Sequence, residues 1–114
     1  MPARATLLVV LCLSAALAAC GSDYGDGSPP ARAANCIRDK GVAAKRVGGD
    51  RIEVGTEPNG PTVVFHQSRQ EAESRVIAGQ AAGAEEIERA LVYPNSGSDR
   101  VLTKVETCLE RVLE

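Results

Sequence analysis

The sequence predicts a small α+β domain, a two-layer sandwich in which a three- or four-stranded sheet packs against two or three helices. The chain has 114 residues, which is enough for a single compact domain. Its C-terminal segment repeats apolar residues at helical spacing, whereas two central segments alternate in polarity or concentrate β-branched residues, as strands do. The elements follow one another in the order α-(β)-β-β-α-β-α, in which the bracketed strand has the least regular pattern.

The first half of the predicted domain contains a helix and two or three strands. Residues 33–40 are expected to form the helix, because Gly41 can terminate it. Residues 42–47 form the bracketed strand. Residues 51–54 alternate polar and apolar side chains, which is typical of a half-buried strand, and residues 62–66 are β-branched and mostly apolar, which favours a central strand.

A second helix is expected to begin at Ser68. Ser68 and Glu71 fit the capping box, in which each side chain satisfies the other residue's backbone N–H. We expect Gly83 to end this helix, and residues 87–93 to form the last strand. The apolar face of the helix would comprise Ala72, Val76 and Ile77.

The C-terminal helix has the most regular pattern in the sequence. Ser98 or Asp99 can cap its first turn. Its apolar residues recur at intervals of one and three positions, which predicts a continuous helical stripe that docks on the sheet. The stripe comprises Val101, Leu102, Val105, Cys108, Leu109, Val112 and Leu113.

The charge and the composition argue against two classes of partner. Thirteen Lys and Arg residues face fifteen Asp and Glu residues, so the net charge is −2 and no basic nucleic-acid footprint is present. Tryptophan is absent and aromatic residues make up 3% of the chain, which argues against a stacking platform for bases or sugars. We therefore expect no nucleic-acid partner.

The N-terminus has the layout of a secretory signal. Arg4 precedes an apolar run, residues 5–19, which only Thr6 and Ser14 interrupt. A transmembrane helix needs about 20 apolar residues, so this run is too short to remain in a bilayer as a span. The sequence therefore predicts export.

The end of the apolar run resembles the lipobox of bacterial lipoprotein precursors. The motif consists of a leucine, two small residues and a cysteine, here Leu17, Ala18, Ala19 and Cys20. The resemblance implies that the Cys20 thiol receives a diacylglyceryl group and that a dedicated signal peptidase cuts before this residue. Lipoprotein-processing enzymes would be partners during maturation, and the acylated Cys20 would hold the protein on the outer side of the bacterial cell membrane.

Ordinary secretory cleavage is the alternative. Residues 16–18 fit the small-x-small rule, so a signal peptidase could release a soluble, secreted product. Cys20 would then be an odd thiol in an exported protein, which is why we favour lipidation. The chain accordingly divides into a signal peptide (1–19), a lipidated cysteine with a flexible tether rich in Gly, Ser, Asp and Pro (20–34), and a single domain (35–114).

The domain retains two cysteines, Cys36 and Cys108, and these are predicted to form a disulfide. Export places them in an oxidising compartment, and each lies on the apolar side of a predicted helix. A redox-active pair is the alternative, but the cysteines are not arranged as a Cys-x-x-Cys motif.

No catalytic, metal or cofactor site is predicted. His66 is the only histidine, and one histidine with two bridged cysteines cannot supply the three or four ligands of a zinc site. We therefore expect a non-enzymatic binding or accessory module that contacts an envelope protein or a small ligand through its sheet face or loops. A purely structural envelope lipoprotein would look the same in sequence. The alternative is a small enzyme or effector with a site around His66, Glu71 and Tyr93.

Overall fold

The computed structural model describes residues 27–114. The predicted signal peptide, the lipobox ending at Cys20 and the tether as far as residue 26 lie outside the described residues. The described part has the element order α-β-β-β-α-β-β-α, which confirms the α+β class. None of its helices combines the length and the hydropathy of a membrane span. The elements are α1 (Pro29–Asp39), β1 (Ala44–Val47), β2 (Arg51–Val54), β3 (Thr62–Phe65), α2 (Arg69–Ile77), β4 (Glu85–Ile87), β5 (Ala90–Tyr93) and α3 (Asp99–Leu113).

The five strands form one antiparallel sheet with the order β1-β2-β3-β5-β4. The sheet has one strand more than the predicted three or four, because the segment expected to be a single strand is a hairpin. Ile87 pairs with Ala90, and the two-residue turn between them places Glu88 at a φ of 53°. Glycine is the usual residue at positive φ, so the sequence contains no signal for this turn.

Helix α1 begins earlier than predicted. Ser28 caps it by accepting a hydrogen bond from the Ala31 N–H at 3.4 Å, and prolines occupy the first two helical positions. Proline suits these positions because their N–H groups have no partner within a helix. Ala31, Ala33 and Ala34 are buried, so the domain boundary at residue 35 and the tether to residue 34 are corrected.

Helix α2 begins as predicted, because the Ser68 hydroxyl accepts from the Glu71 N–H at 3.1 Å. The Glu71 carboxylate accepts from the Gln67 N–H and not from that of Ser68, so the capping box is half formed. The helix ends at Ile77, and Gly79 at a φ of 75° replaces Gly83 as the terminating glycine.

The predicted apolar face of α2 is wrong. Ala72 is its buried residue, whereas the side chains of Val76 and Ile77 are 40% and 85% exposed. Ala72 clusters with Ala81 and with Leu91 of β5, so the helix meets the sheet near its first turns. The apolar residues of its last turn remain exposed.

The main core lies between one face of the sheet and the helices α1 and α3. Ser98 caps α3 by accepting from the Val101 N–H, and the predicted stripe packs into this core. The Cys36–Cys108 disulfide joins the two helices, with the Cα atoms 5.7 Å apart, as predicted. The core residues of the strands are Ala44, Ile52, Val54, Val63, Phe65, Ala90 and Val92.

The opposite face of the sheet is only partly covered. Helix α2 lies there beside β5, so a third layer is added to the predicted two-layer sandwich at this place. Side chains alternate between the faces of a strand. Ile52 of β2 and Val63 of β3 are cross-strand partners and belong to the core. Their sequence neighbours on the two strands therefore lie on the partly covered face, which we call the open face.

Candidate functional site

A groove lies between α2 and the open face of the sheet. It encloses ≈ 330 Å³. Strands β2, β3 and β5 form its floor, and α2 with the segment that follows forms its wall. We call it the open-face groove, and it is lined by Arg51, Thr62, Val64, His66, Arg75, Gln80, Tyr93 and Asn95.

Strand register brings the floor residues of the groove together. Arg51 of β2 is the cross-strand partner of Val64, and Thr62 of β3 is the partner of Tyr93. Directly opposed residues of antiparallel strands lie on the same face with their Cβ atoms about 5 Å apart. The pattern that buries Ile52 and Val63 in the core therefore also places these four side chains on the open face.

The lining of the groove is cationic. It includes two arginines and no acidic residue, although the chain as a whole has a net charge of −2. The nearest carboxylate along β2 is that of Glu53, which lies opposite Lys45 in the register of β1 and β2. The Arg51 side chain has no hydrogen-bond or ion-pair partner among residues 27–114. The lining of the groove is thus positively charged, whereas the chain as a whole is negatively charged.

Arg75 is positioned by two polar neighbours. Its Nη1 atom lies 3.5 Å from the Gln80 Oε1 atom, and its Nη2 atom lies 3.9 Å from the Glu71 Oε1 atom. The guanidinium is half exposed, so the pair with Glu71 adds little to stability. Its effect is to orient the guanidinium at the rim of the groove.

His66 and Glu71 are in contact. The His66 Nδ1 atom lies 3.3 Å from the Glu71 Oε1 atom, and the histidine side chain is only 13% exposed. The pKa of Glu71 is lowered, mainly by the hydrogen bond with His66 and then by that from the Gln67 N–H; desolvation opposes this, and the nearby charges of His66 and Arg75 add smaller lowering effects. Glu71 is therefore ionised at neutral pH.

The ionised carboxylate places a proton on the ring nitrogen of His66 that faces it. A carboxylate can only accept hydrogen bonds, so we assign a proton to Nδ1. The Nε2 atom is buried and has no hydrogen-bond partner in the described part of the chain.

The backbone of His66 is held by the β4–β5 hairpin. The His66 N–H donates to the Arg89 carbonyl at 2.8 Å, and the Arg89 Nη1 atom donates to the His66 carbonyl at 2.5 Å. The Arg89 guanidinium also lies 5.7 Å from the centre of the Phe65 ring. These contacts fix the position of the His66 backbone directly after the end of β3.

The far end of the groove is closed by a loop contact. The Asn95 side-chain amide donates to the Gly60 carbonyl at 2.9 Å and lies 3.4 Å from the Thr62 Oγ1 atom. The Tyr93 hydroxyl, beside it, has no hydrogen-bond partner within residues 27–114. The side chains of Arg51 and Tyr93 therefore line one groove and have no hydrogen-bond partner among the described residues.

The predicted site residues are partly brought together. The structure joins Cys36 to Cys108, and it places the alternative set of His66, Glu71 and Tyr93 in or beside the same groove. Lipidation at Cys20 lies outside the described residues and stays a prediction.

Sequence analysis missed the two arginines and Gln80. Arg51 is the first residue of an alternating strand, and Arg75 is four positions after Glu71 on a helix, which suggested only solvent-exposed charges. Their convergence depends on which strand lies next to which. No local pattern contains that information.

A second polar cluster lies at the opposite side of the sheet. Glu106 of α3 shares a hydrogen bond with Glu85 of β4. This bond, together with burial and the negative charge of Glu85, raises the pKa of Glu106 from 4.5 to about 7. Glu106 is therefore partly protonated near neutral pH.

The groove has the chemistry of a binding site. Guanidinium and phenol groups donate hydrogen bonds. Among the described residues, the lining includes no serine or cysteine, and no group of three or more His, Cys, Asp or Glu residues is arranged to hold a metal ion. Comparisons with protein-family models, with curated proteins and with solved structures find no match for this chain.

Proposed function

We propose that the protein is a lipid-anchored binding module of the bacterial cell envelope, and that the open-face groove is its binding surface. The observation that supports binding is the groove itself, where the side chains of Arg51 and Tyr93 line one cavity without hydrogen-bond partners among the described residues. Tyr93 is half-buried, and polar groups in such positions are normally paired. A ligand that pairs them would gain hydrogen bonds that the isolated fold does not make.

The anchor is supported by the lipobox pattern. Cys20 follows Leu17 and two alanines at the end of the apolar run. Because α1 begins at Pro29, eight residues, 21–28, would separate the acylated cysteine from the domain. A segment of that length keeps the domain close to the bilayer surface.

Metabolic labelling with an alkyne-bearing palmitate tests the anchor. The wild type and the matched control variant Cys12→Ala are expected to be labelled, because Cys12 lies within the predicted signal peptide. The variant Cys20→Ala is expected to lose the label. Equal labelling of Cys20→Ala and of the wild type would refute lipidation at this residue.

Site-specific photo-crosslinking in envelope membranes tests the binding surface. A photoreactive residue is placed at Glu53, which is exposed on the open face, or at Glu110, which is exposed on α3. We expect an adduct from position 53, seen as a new band or as a mass increase on its peptide, and none from position 110. The same products from both positions, or none from position 53, would contradict the proposal.

The contact between His66 and Glu71 favours a second candidate function. A histidine oriented by a carboxylate can act as a general base, here on a water molecule, as in a small hydrolase. An enzyme converts its ligand whereas a binding module releases it unchanged. Product resonances that grow with time in an NMR titration would identify the enzyme.

A further inference from the structure

We infer that an exposed apolar segment, residues 76–84, lies against the phospholipid bilayer that holds the protein, and this inference rests on the proposed lipid anchor. The apolar segment comprises the end of α2 and the residues that follow it as far as β4. Its contact with the bilayer would hold the domain in one orientation on the membrane.

The apolar segment is exposed and uncharged. It contains nine consecutive residues without an Asp, Glu, Lys or Arg side chain, although a quarter of the chain is charged. Val76 and Ile77 are 40% and 85% exposed, and they are two of the three large apolar side chains that are exposed in the described part of the chain. Ala78 and Ala82 are exposed as well. Patches of this kind mark contact with a membrane or with another protein.

The charged side chains of α2 balance one another. The Arg69 Nε atom lies 3.4 Å from the Glu73 Oε1 atom, and the Arg75 Nη2 atom lies 3.9 Å from the Glu71 Oε1 atom. Each arginine therefore has a glutamate beside it. The helix brings no net charge to a membrane surface.

The side of α2 that points away from the sheet is uncharged. Ala72 is buried against the sheet. Successive residues of a helix are about 100° apart, so Gln70, Ser74 and Ile77 lie on the side opposite to Ala72. This side can approach a bilayer without removing a charged group from water, which would cost free energy.

The chain enters the domain beside α2. Ser28 and Pro29, where α1 begins, line one cavity together with Gln67 and Glu71, where α2 begins. The eight residues 21–28 that separate Cys20 from α1 would span about 15 Å on average. The nine residues of α2 extend about 13 Å. An acylated Cys20 would therefore keep the apolar segment within reach of the bilayer surface.

The small size of the apolar segment favours a bilayer over a second copy of the chain. Two exposed large side chains offer much less than the area of about 800 Å² per partner that stable protein complexes bury. A bilayer contact needs no such area, because the anchor supplies the affinity and keeps the segment at a high effective concentration beside the membrane. Because α2 lies on the open face, this contact would also turn the open-face groove towards the membrane surface.

Tryptophan fluorescence tests the contact, since the chain has no tryptophan of its own. Single-tryptophan variants of the full-length chain are produced in bacteria, purified from membranes and reconstituted in vesicles of phosphatidylcholine or of its analogue with brominated acyl chains. Bromine quenches tryptophan only on contact. We expect Ile77→Trp to lose much of its emission in the brominated vesicles. Glu110→Trp is the matched control and should keep its emission, because Glu110 is exposed on α3, which packs on the other face of the sheet.

A second reporter separates the contact from the preference of tryptophan itself for membrane interfaces. Ala82→Trp places the reporter elsewhere in the apolar segment and leaves Val76 and Ile77 in place. We expect bromine to quench this reporter, and we expect the quenching to fall when Val76→Ser and Ile77→Ser are added. Both serine substitutions are at exposed side chains, so the urea midpoint should change little.

The outcomes distinguish this inference from the proposed anchor. Flotation of the protein with vesicles, combined with equal emission of Ile77→Trp in both lipids, overturns the inference and leaves the anchor intact. Absence of both flotation and the palmitate label overturns the two together. Equal quenching of Ile77→Trp and Glu110→Trp, or quenching of Ala82→Trp that the serine substitutions leave unchanged, also overturns the inference. A blue shift of Ile77→Trp that depends on protein concentration, without quenching, would assign the segment to a second copy of the chain instead.

Discussion

Removal of the disulfide is expected to cost the domain a large part of its stability. In the double variant Cys36→Ala/Cys108→Ala the first and last helices lose their covalent link. The link closes a loop with a sequence separation of 72 residues. The entropy of closing such a loop in the unfolded chain corresponds to about 4 kcal/mol at 25 °C.

This magnitude is comparable to the whole stability of the fold. A domain of this length is stable by about 4–13 kcal/mol. The side chain of Cys108 is fully buried in the main core, so the alanine variant also loses packing there. The reduced wild-type protein lacks the link but keeps both sulfur atoms, and it therefore isolates the effect of the covalent bond.

Urea unfolding of the oxidised wild type, the reduced wild type and the double variant measures these effects. With a slope of about 1–3 kcal/mol per M, a loss of about 4 kcal/mol lowers the midpoint by about 1.5–4 M. The slope itself should rise without the link, because the unfolded chain becomes less compact. Coincident midpoints for the oxidised and reduced wild type would refute the reasoning.

Three further predictions concern single positions. The unfolding free energy should fall as the pH rises from about 4.5 to about 7, because the raised pKa of Glu106 means that the folded state binds its proton more tightly than the unfolded state. In Glu106→Gln, the dependence of the urea midpoint on pH should be weaker. An unchanged dependence would contradict the assignment. Gly60→Ala would place a Cβ atom 2.1 Å from the Val54 carbonyl oxygen, and thermal melts should show that it destabilises the fold by about 1–3 kcal/mol. Gly49→Ala is the control, because its Cβ atom meets open space, and it should leave the stability nearly unchanged. Glu88→Asn should raise the unfolding free energy by about 0.5 kcal/mol, because asparagine tolerates the positive φ of the hairpin turn better, and a lowered melting temperature would argue against strain there.

Strong local periodicity made helix α3 and strands β2 and β3 predictable. The stripe of α3 has one face for the sheet, and the burial of Cys108 on it follows from the spacing alone. The predicted export then made pairing with Cys36 the expected state. Strands β2 and β3 follow from alternation and from β-branched residues in the same way.

Weak or misleading local signals account for the differences. Two prolines resemble a linker, yet they occupy the first turn of α1, where burial of small alanines supplies the packing. Glu88 makes a turn without glycine. Ile77 looks like a core residue from its spacing, but α2 lies across too little of the sheet to bury it.

The groove could not be predicted because it is a product of tertiary structure. His66 and Glu71 are close in sequence, so their contact is nearly local. Arg51 and Tyr93 reach the groove only because β2 lies beside β3 and β3 lies beside β5. Sequence patterns specify which face of a strand is apolar, but they do not specify the order of strands.

The link between Cys36 and Cys108 also determines how the domain responds to mechanical force. Tension applied between the two ends of the chain passes along α1 to Cys36, crosses the sulfur–sulfur bond and leaves through the last turn of α3. The whole sheet, α2 and the open-face groove lie inside the closed loop and bear no load. A pull on the N-terminal segment can therefore fray the helix ends, but it cannot extend the strands that form the groove until the covalent bond itself is broken.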